Sequence, residues 1–208
     1  MPRWEDHHVI RDASPADAPL LHRICLMTGD AGRDATALHA DADLLGQVYV
    51  DPYLHVAPAV AAVATDEGGY VLGYVLGTPD TATFLGACEA HWWPPLRDRH
   101  PLDAGGHHRT AADQSLVELI HSPHAPDPEL VATYPAHLHI DLLPEAQGQG
   151  LGRALIDWLL DRLSALGAHG VHLGVDPRNT AAIAFYERLG FTRWGSDPDA
   201  VVLVRRLG

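Results

Sequence analysis

Residues 137–152 constrain this chain more than any other stretch. His137-Leu138-His139-Ile140-Asp141-Leu142-Leu143 alternates its side chains with the period of two that a half-buried strand requires, and Pro144 ends it. Gln147-Gly148-Gln149-Gly150-Leu151-Gly152 follows. Leu151, Leu155, Leu159, Leu163 and Leu166 then recur on one stripe of a long helix, and Gly167 closes it. A strand, a glycine loop and a helix in that order form an anion site by construction: the first amides of the helix lack partners within it, and glycine lets an anion approach the main chain. Arg153, just inside the helix, adds a cation.

Composition narrows which anion this is. The chain sets 14 basic residues against 27 acidic ones, for a net charge of -13, and every basic residue is arginine. Without lysine there is no phosphate-binding P-loop and no Schiff-base chemistry. A dinucleotide-binding fold also fits poorly, because the spacing is Gln-x-x-Gly-x-Gly, starts only at residue 147 and has no repeated parallel βαβ units around it. The acidic balance argues against nucleic acid or an anionic membrane surface and favours a cationic or neutral partner.

The remaining composition is that of an ordinary globular protein. A length of 208 residues with 47% hydrophobic content suits one domain, residues 1–208, with a buried core. Cys25 and Cys88 lie far apart and form no ligand spacing, as in a reducing compartment. No apolar run reaches membrane-span length, and Met1 to Asp6 is too polar to open a signal peptide, so the expected location is cytoplasmic. The 15 histidines, including His7-His8 and His107-His108, contain no HExxH spacing, and the His137/His139 pair on its strand has no nearby cysteine to complete a site, so the expectation is that most are solvated and that there is no metal.

The first half reads as strand, helix and hairpin. Val9-Ile10-Arg11 is a short strand, and Ser14-Pro15-Ala16-Asp17 is helix-start chemistry for a helix to about Met27. Ala42 to Tyr49 is a shorter helix that stops before Asp51-Pro52. Ala59 to Thr65 and Tyr70 to Thr78 flank the turn Asp66-Glu67-Gly68-Gly69 as an antiparallel hairpin. Residues 79–135 are an insertion broken by Pro94-Pro95 and Gly105-Gly106, with two helices near Thr83–Trp92 and Ala111–His121. Trp92-Trp93 within it is expected to anchor the core. After the glycine loop and its helix come a strand Val171 to Val175, the turn Asp176-Pro177-Arg178-Asn179, a helix Ala181 to Leu189, and closing strands Phe191 to Trp194 and Val201 to Arg205.

Gln147-x-x-Gly150-x-Gly152, preceded by Leu142-x-Pro144 and followed by Asn179-x-x-Ala182-x-x-Phe185-Tyr186-x-x-Leu189-Gly190-Phe191, resembles the GCN5-related N-acetyltransferases (GNAT). Arg11-Asp12, Ile24 to Gly32, Asp51-Pro52-Tyr53-Leu54 and Gly73 to Thr78 are similar to the acetyltransferase-like domain of O-GlcNAcase and its stand-alone bacterial relatives. The eukaryotic domain lacks the glycine loop that this chain keeps. The resemblance implies an α/β fold of the α+β type: a mixed, largely antiparallel sheet of about seven strands with splayed strands 4 and 5, flanked by helices.

It also implies acetyl-CoA as cofactor. Gln147, Gly148, Gln149, Gly150, Leu151, Gly152 and Arg153 would hold its pyrophosphate. Ile140, Asp141 and Leu142 would pair with the pantetheine arm, with Asn179, Ala182 and Tyr186 beside it. The implied activity is acetyl transfer to a primary amine, with Tyr186 as general acid and Asp141 as the base or amine-positioning carboxylate. Asp176 is the second candidate base, and a salt-bridged strand carboxylate is the plain alternative for Asp141. The charge favours a cationic acceptor, a small molecule or basic peptide. A coenzyme sensor or a non-catalytic interaction module is the competing reading, and a homodimer formed through the last strand is open.

Overall fold

The structure is a computed structural model that describes residues 8–103, 109–196 and 200–208. The expectations for Met1 to Asp6, His7, Gly105-Gly106 and His107-His108 lie outside these residues. Seven strands, β1 (His8–Asp12), β2 (Val60–Asp66), β3 (Val71–Thr78), β4 (Ala136–Leu142), β5 (Gly170–Val175), β6 (Thr192–Ser196) and β7 (Val201–Arg206), form one sheet in the order β1-β2-β3-β4-β5-β7-β6. Every neighbouring pair is antiparallel except β4 and β5, which run parallel. The last strand, β7, sits between β5 and β6 within its own sheet.

The helices follow the apolar faces. On one side α8 (Leu151–Ala165) lays its stripe on the sheet, with Leu151, Leu155, Leu159 and Leu163 each 0% exposed. Leu166 departs from the expectation. It lies past the last turn as the helix cap and is 58% exposed, because the stripe's spacing no longer applies once the helix ends. Leu138, Ile140 and Leu142 of β4 face this cluster, as does α9 (Thr180–Arg188) through Ile183 and Tyr186.

The opposite face is covered by α1 (Ala18–Thr28), α2 (Leu44–Tyr49), α3 (Asp51–His55), α4 (Thr81–His91), α5 (Trp93–Arg99) and α6 (Ala111–His121). Residues 79–135 leave β3 and return as β4, although these two strands pair directly, so the whole excursion is inserted between sheet neighbours. Among the described residues it holds four helices, the three last named and α7 (Pro128–Thr133), where the sequence indicated two. Asp51-Pro52 likewise opens α3 rather than breaking the chain. Pro52, Pro94, Pro95 and Pro128 all fall in first turns, where a missing N–H costs nothing. Trp93 is buried in this cluster, while Trp92 stacks on His55 and donates its indole N–H to Gln47 O.

Leu159 ties α8 to the sheet with no exposed surface, so Leu159→Ala should cost about 2–5 kcal/mol of unfolding free energy in urea titration, without change in the slope.

Candidate active site

β4 and β5 pair only at Ala136 with Val171 and His137 with His172, and beyond these they part. The other edge of β4 is fully paired. Leu143 N–H donates to Leu72 O, and the regular register then turns the main-chain groups of Asp141, His139 and His137 toward β3. Alternation turns those of Leu138, Ile140 and Leu142 toward the fork. The Gln147 side-chain amide already donates to Leu142 O at 3.1 Å.

The glycine loop lies at the end of this open edge. Gly148 and Gly150 adopt φ of 74° and 87°, left-handed values that favour glycine, and Gly150 is the N-cap of α8. The loop from Gln147 to Gly150 is exposed, as is the Arg153 side chain on the first turn. Gly152 serves packing instead: a Cβ there would stand 3.3 Å from both Leu142 and Phe185, so its absence lets α8, β4 and α9 close together. These features fit a phosphate-bearing coenzyme whose arm lies along β4: first-turn amides of Leu151, Gly152 and Arg153 without intrahelical partners, and main-chain groups facing the fork.

Asn179 caps α9, its Oδ1 accepting from Ala182 N–H at 3.1 Å, which commits the Ala182 amide. Its Nδ2 lies against Gly32 at the end of α1. Tyr186 is 6% exposed between Phe185 and Phe191. Burial first, and then the nearby Asp141 carboxylate, push its phenol well above the ordinary value, so it is protonated at neutral pH.

Asp141 occupies the opposite face of β4 from Ile140 and Leu142. Tyr74 Oη donates to its Oδ2 at 2.5 Å, and burial outweighs this bond and raises the carboxyl to about 6. A group titrating there can take a proton near neutrality. Asp176 differs: Arg178 binds its carboxylate at 2.7 Å and also reaches Asp30 at 2.8 Å, which lowers Asp176 and makes it the weaker base.

Three histidines depart from the expectation of solvated side chains: His137, His139 and His172 are withdrawn from solvent near the apex of the fork, because β4 and β5 carry them under the covering helices. The Thr81 hydroxyl gives its proton to Pro135 O, so at 2.8 Å it accepts from His137 Nδ1–H. His137 Nε2 then accepts from Tyr53 Oη at 2.6 Å. His172 Nδ1–H donates to Tyr134 O at 2.7 Å. Burial lowers His137, His139 and His172, in the case of His139 to about 4. Period two already placed His137, His139 and Asp141 on one face. Nothing local pointed to Tyr53 or Tyr74, which reach β4 from distant parts of the chain.

The model of the acetyltransferase (GNAT) family matches residues 36–191. This chain belongs to that family. It is 37% identical to the protein of the SsHAT crystal structure over the full length of both chains, with a TM-score of 0.86. It is 24% identical over 204 residues to protein O-GlcNAcase of Rattus norvegicus, covering 96% of this chain and 22% of that protein. With mycothiol acetyltransferase of Pseudarthrobacter chlorophenolicus it shares 35% identity over 125 residues, 58% of this chain and 35% of the relative. The chain therefore spans about a fifth to a third of the length of these curated relatives. The family's activity is acetyl transfer, and the coenzyme of this GNAT chain is acetyl-CoA. Among the described residues, no helix is long and apolar enough to cross a membrane.

Acid should weaken the fold. Each of the three histidines titrates lower when folded than its ordinary 6.5, so their stabilising contribution is complete above that pH and is lost as pH falls toward about 4. Asp141 acts the other way, because a carboxyl raised from 3.8 to about 6 costs stability above that pH and returns it on protonation. The roughly 3 kcal/mol lost through His139 is about offset by what Asp141 returns, so His137 and His172 give the net fall. Urea titrations stepped from pH 7 to pH 4 should show it, and a flat profile would mean that the rings are solvated.

Proposed function

We propose that this chain is an N-acetyltransferase that moves the acetyl group of acetyl-CoA to a primary amine, residues 1–208 acting as one catalytic unit with 79–135 as its helical insertion. The observation that carries the reading is the position of Asp141: a carboxyl raised to about 6, on the strand whose main chain lines the fork. Acetyl-CoA, when bound, supplies an acetyl thioester. The amides of Leu151, Gly152 and Arg153, with the loop Gln147 to Gly150, would hold its phosphates. The main chain of Ile140 and Leu142 would align its arm, beside Asn179 and Ala182.

An amine acceptor arrives as an ammonium ion, which the net charge of -13 attracts, and it must lose a proton before it can attack a carbonyl. Asp141 Oδ1 or Oδ2 takes that proton, and the Tyr74 hydroxyl keeps the carboxylate in place. Tyr186 retains its own proton far above neutral pH, the state in which its Oη can donate to a departing thiolate.

Thiol release from acetyl-CoA should depend on added amine and rise with pH through about 6 in kcat. Asp141→Asn should lower kcat about 10²-fold or more and erase that limb. Tyr186→Phe should lower kcat while leaving calorimetric acetyl-CoA affinity nearly unchanged. If acetyl-CoA binds and no amine in a broad panel is acetylated, the chain is a coenzyme-binding module instead.

A further inference from the structure

At the fork, beneath the helices that cover this face, lies a cavity of about 320 Å³. Its walls carry Tyr49, Tyr53, Phe84 and Trp93, with His137 and His139 on the β4 side. The rings form a connected set. Tyr53 stacks on Phe84 with centroids 4.7 Å apart and meets His139 edge-on at 5.5 Å, and Tyr49 lies 6.2 Å from His139. Among the described residues no arginine, aspartate or glutamate lines this space.

The Tyr53 hydroxyl and two of the wall's four histidines are committed. His137 uses both ring nitrogens on Tyr53 and Thr81, and His172, also at the wall, gives Nδ1–H to Tyr134 O. Among the described residues His139 makes ring contacts and no hydrogen bond, so its nitrogens are left for a ligand. Burial holds His137, His139 and His172 neutral, and the fourth imidazole at the wall, His124, is exposed. The nearest carboxylate along the strand is Asp141, two residues beyond His139 on the same face.

We infer that this cavity holds the body of the acetyl acceptor, and that the acceptor is a compact monoamine with a flat apolar body, of the arylalkylamine class. The inference rests on the amine-transfer reading above and names its substrate. A volume of about 320 Å³ sits at the low end of ligand pockets, which run from roughly 300 to 1,000 Å³. Flat rings gain from edge and offset contacts with the wall. A second ammonium would be desolvated with no counter-charge in the wall, and a polyhydroxylated body would find few partners for its hydroxyls. One ammonium that projects from the cavity past His139 would meet Asp141, two residues on along the same face of β4. The overall negative field therefore draws cations generally, and the cavity selects among them by shape and desolvation.

The test uses the full chain with 2-phenylethylamine and spermidine, read by calorimetric binding and by mass-spectrometric detection of acetylated product. 2-Phenylethylamine should bind, and its kcat/KM should exceed that of spermidine about 100-fold or more. Leu85→Trp, which fills the cavity from its α4 side, should weaken 2-phenylethylamine binding at least about tenfold while acetyl-CoA affinity and the melting temperature stay near wild type. Leu119→Phe replaces it if that variant does not fold. Spermidine as the better acceptor, or a folded cavity-filled variant that binds 2-phenylethylamine unchanged, would overturn the inference. If 2-phenylethylamine binds and no amine is acetylated, the transfer reading falls and the cavity assignment stands. If spermidine is acetylated while 2-phenylethylamine neither binds nor reacts, the reverse holds.

Discussion

β4 and β5 share two residue pairs and then separate at the centre of a seven-stranded sheet, turning the main-chain groups of Ile140 and Leu142 toward a gap instead of a neighbour. Sheet interiors seldom leave such groups unpaired, since each buried polar group without a partner costs free energy. The rest of the site is arranged around this gap. The glycine loop stands at the end of the β4 edge, α8 braces one face of that strand, and the aromatic cavity occupies the other face. Holding the gap open requires that β4 be fixed from its paired side, and the register with β3 runs without interruption from His137 to Leu142.

The electrostatics of the site oppose those of the molecule. The chain as a whole is strongly acidic, yet the fork apex is neutral: three imidazoles stripped of charge by burial, with one carboxyl raised toward neutrality. Desolvation dominates every one of these shifts, and the hydrogen bonds from Tyr74 to Asp141 and from His172 to Tyr134 only moderate it. A group near its midpoint at neutral pH is the one able to exchange a proton there. The half-buried Asp176, lowered by Arg178, has lost that ability.

What could be read from the sequence follows the distance over which each feature is encoded. The strand, glycine loop and α8 are contiguous, so periodicity and glycine placement were enough to find them, except for Leu166, where the helix stops one step early. The insertion was harder to read because proline has two meanings. In Pro52 and Pro94-Pro95 it starts helices, though the same residues looked like breaks. The cavity was the least legible feature. Tyr53 meets His137 across 84 positions and Tyr74 meets Asp141 across 67, and no local pattern encodes such a meeting. The resemblance to a family implied residues for the coenzyme and none for the aromatic cavity.

The hydrogen-bond chain from Tyr53 through His137 and Thr81 to Pro135 joins α3, β4 and α4 through one imidazole in a fixed tautomer. The proposed donor-binding residues span 140–186, whereas most of the proposed acceptor wall comes from residues 48–139, held to the sheet by that ring. The two can therefore vary separately. On that assignment, substitutions along α2, α4 and α6 reshape what is acetylated while the acetyl donor stays the same, and related chains diverge in acceptor around an unchanged coenzyme loop.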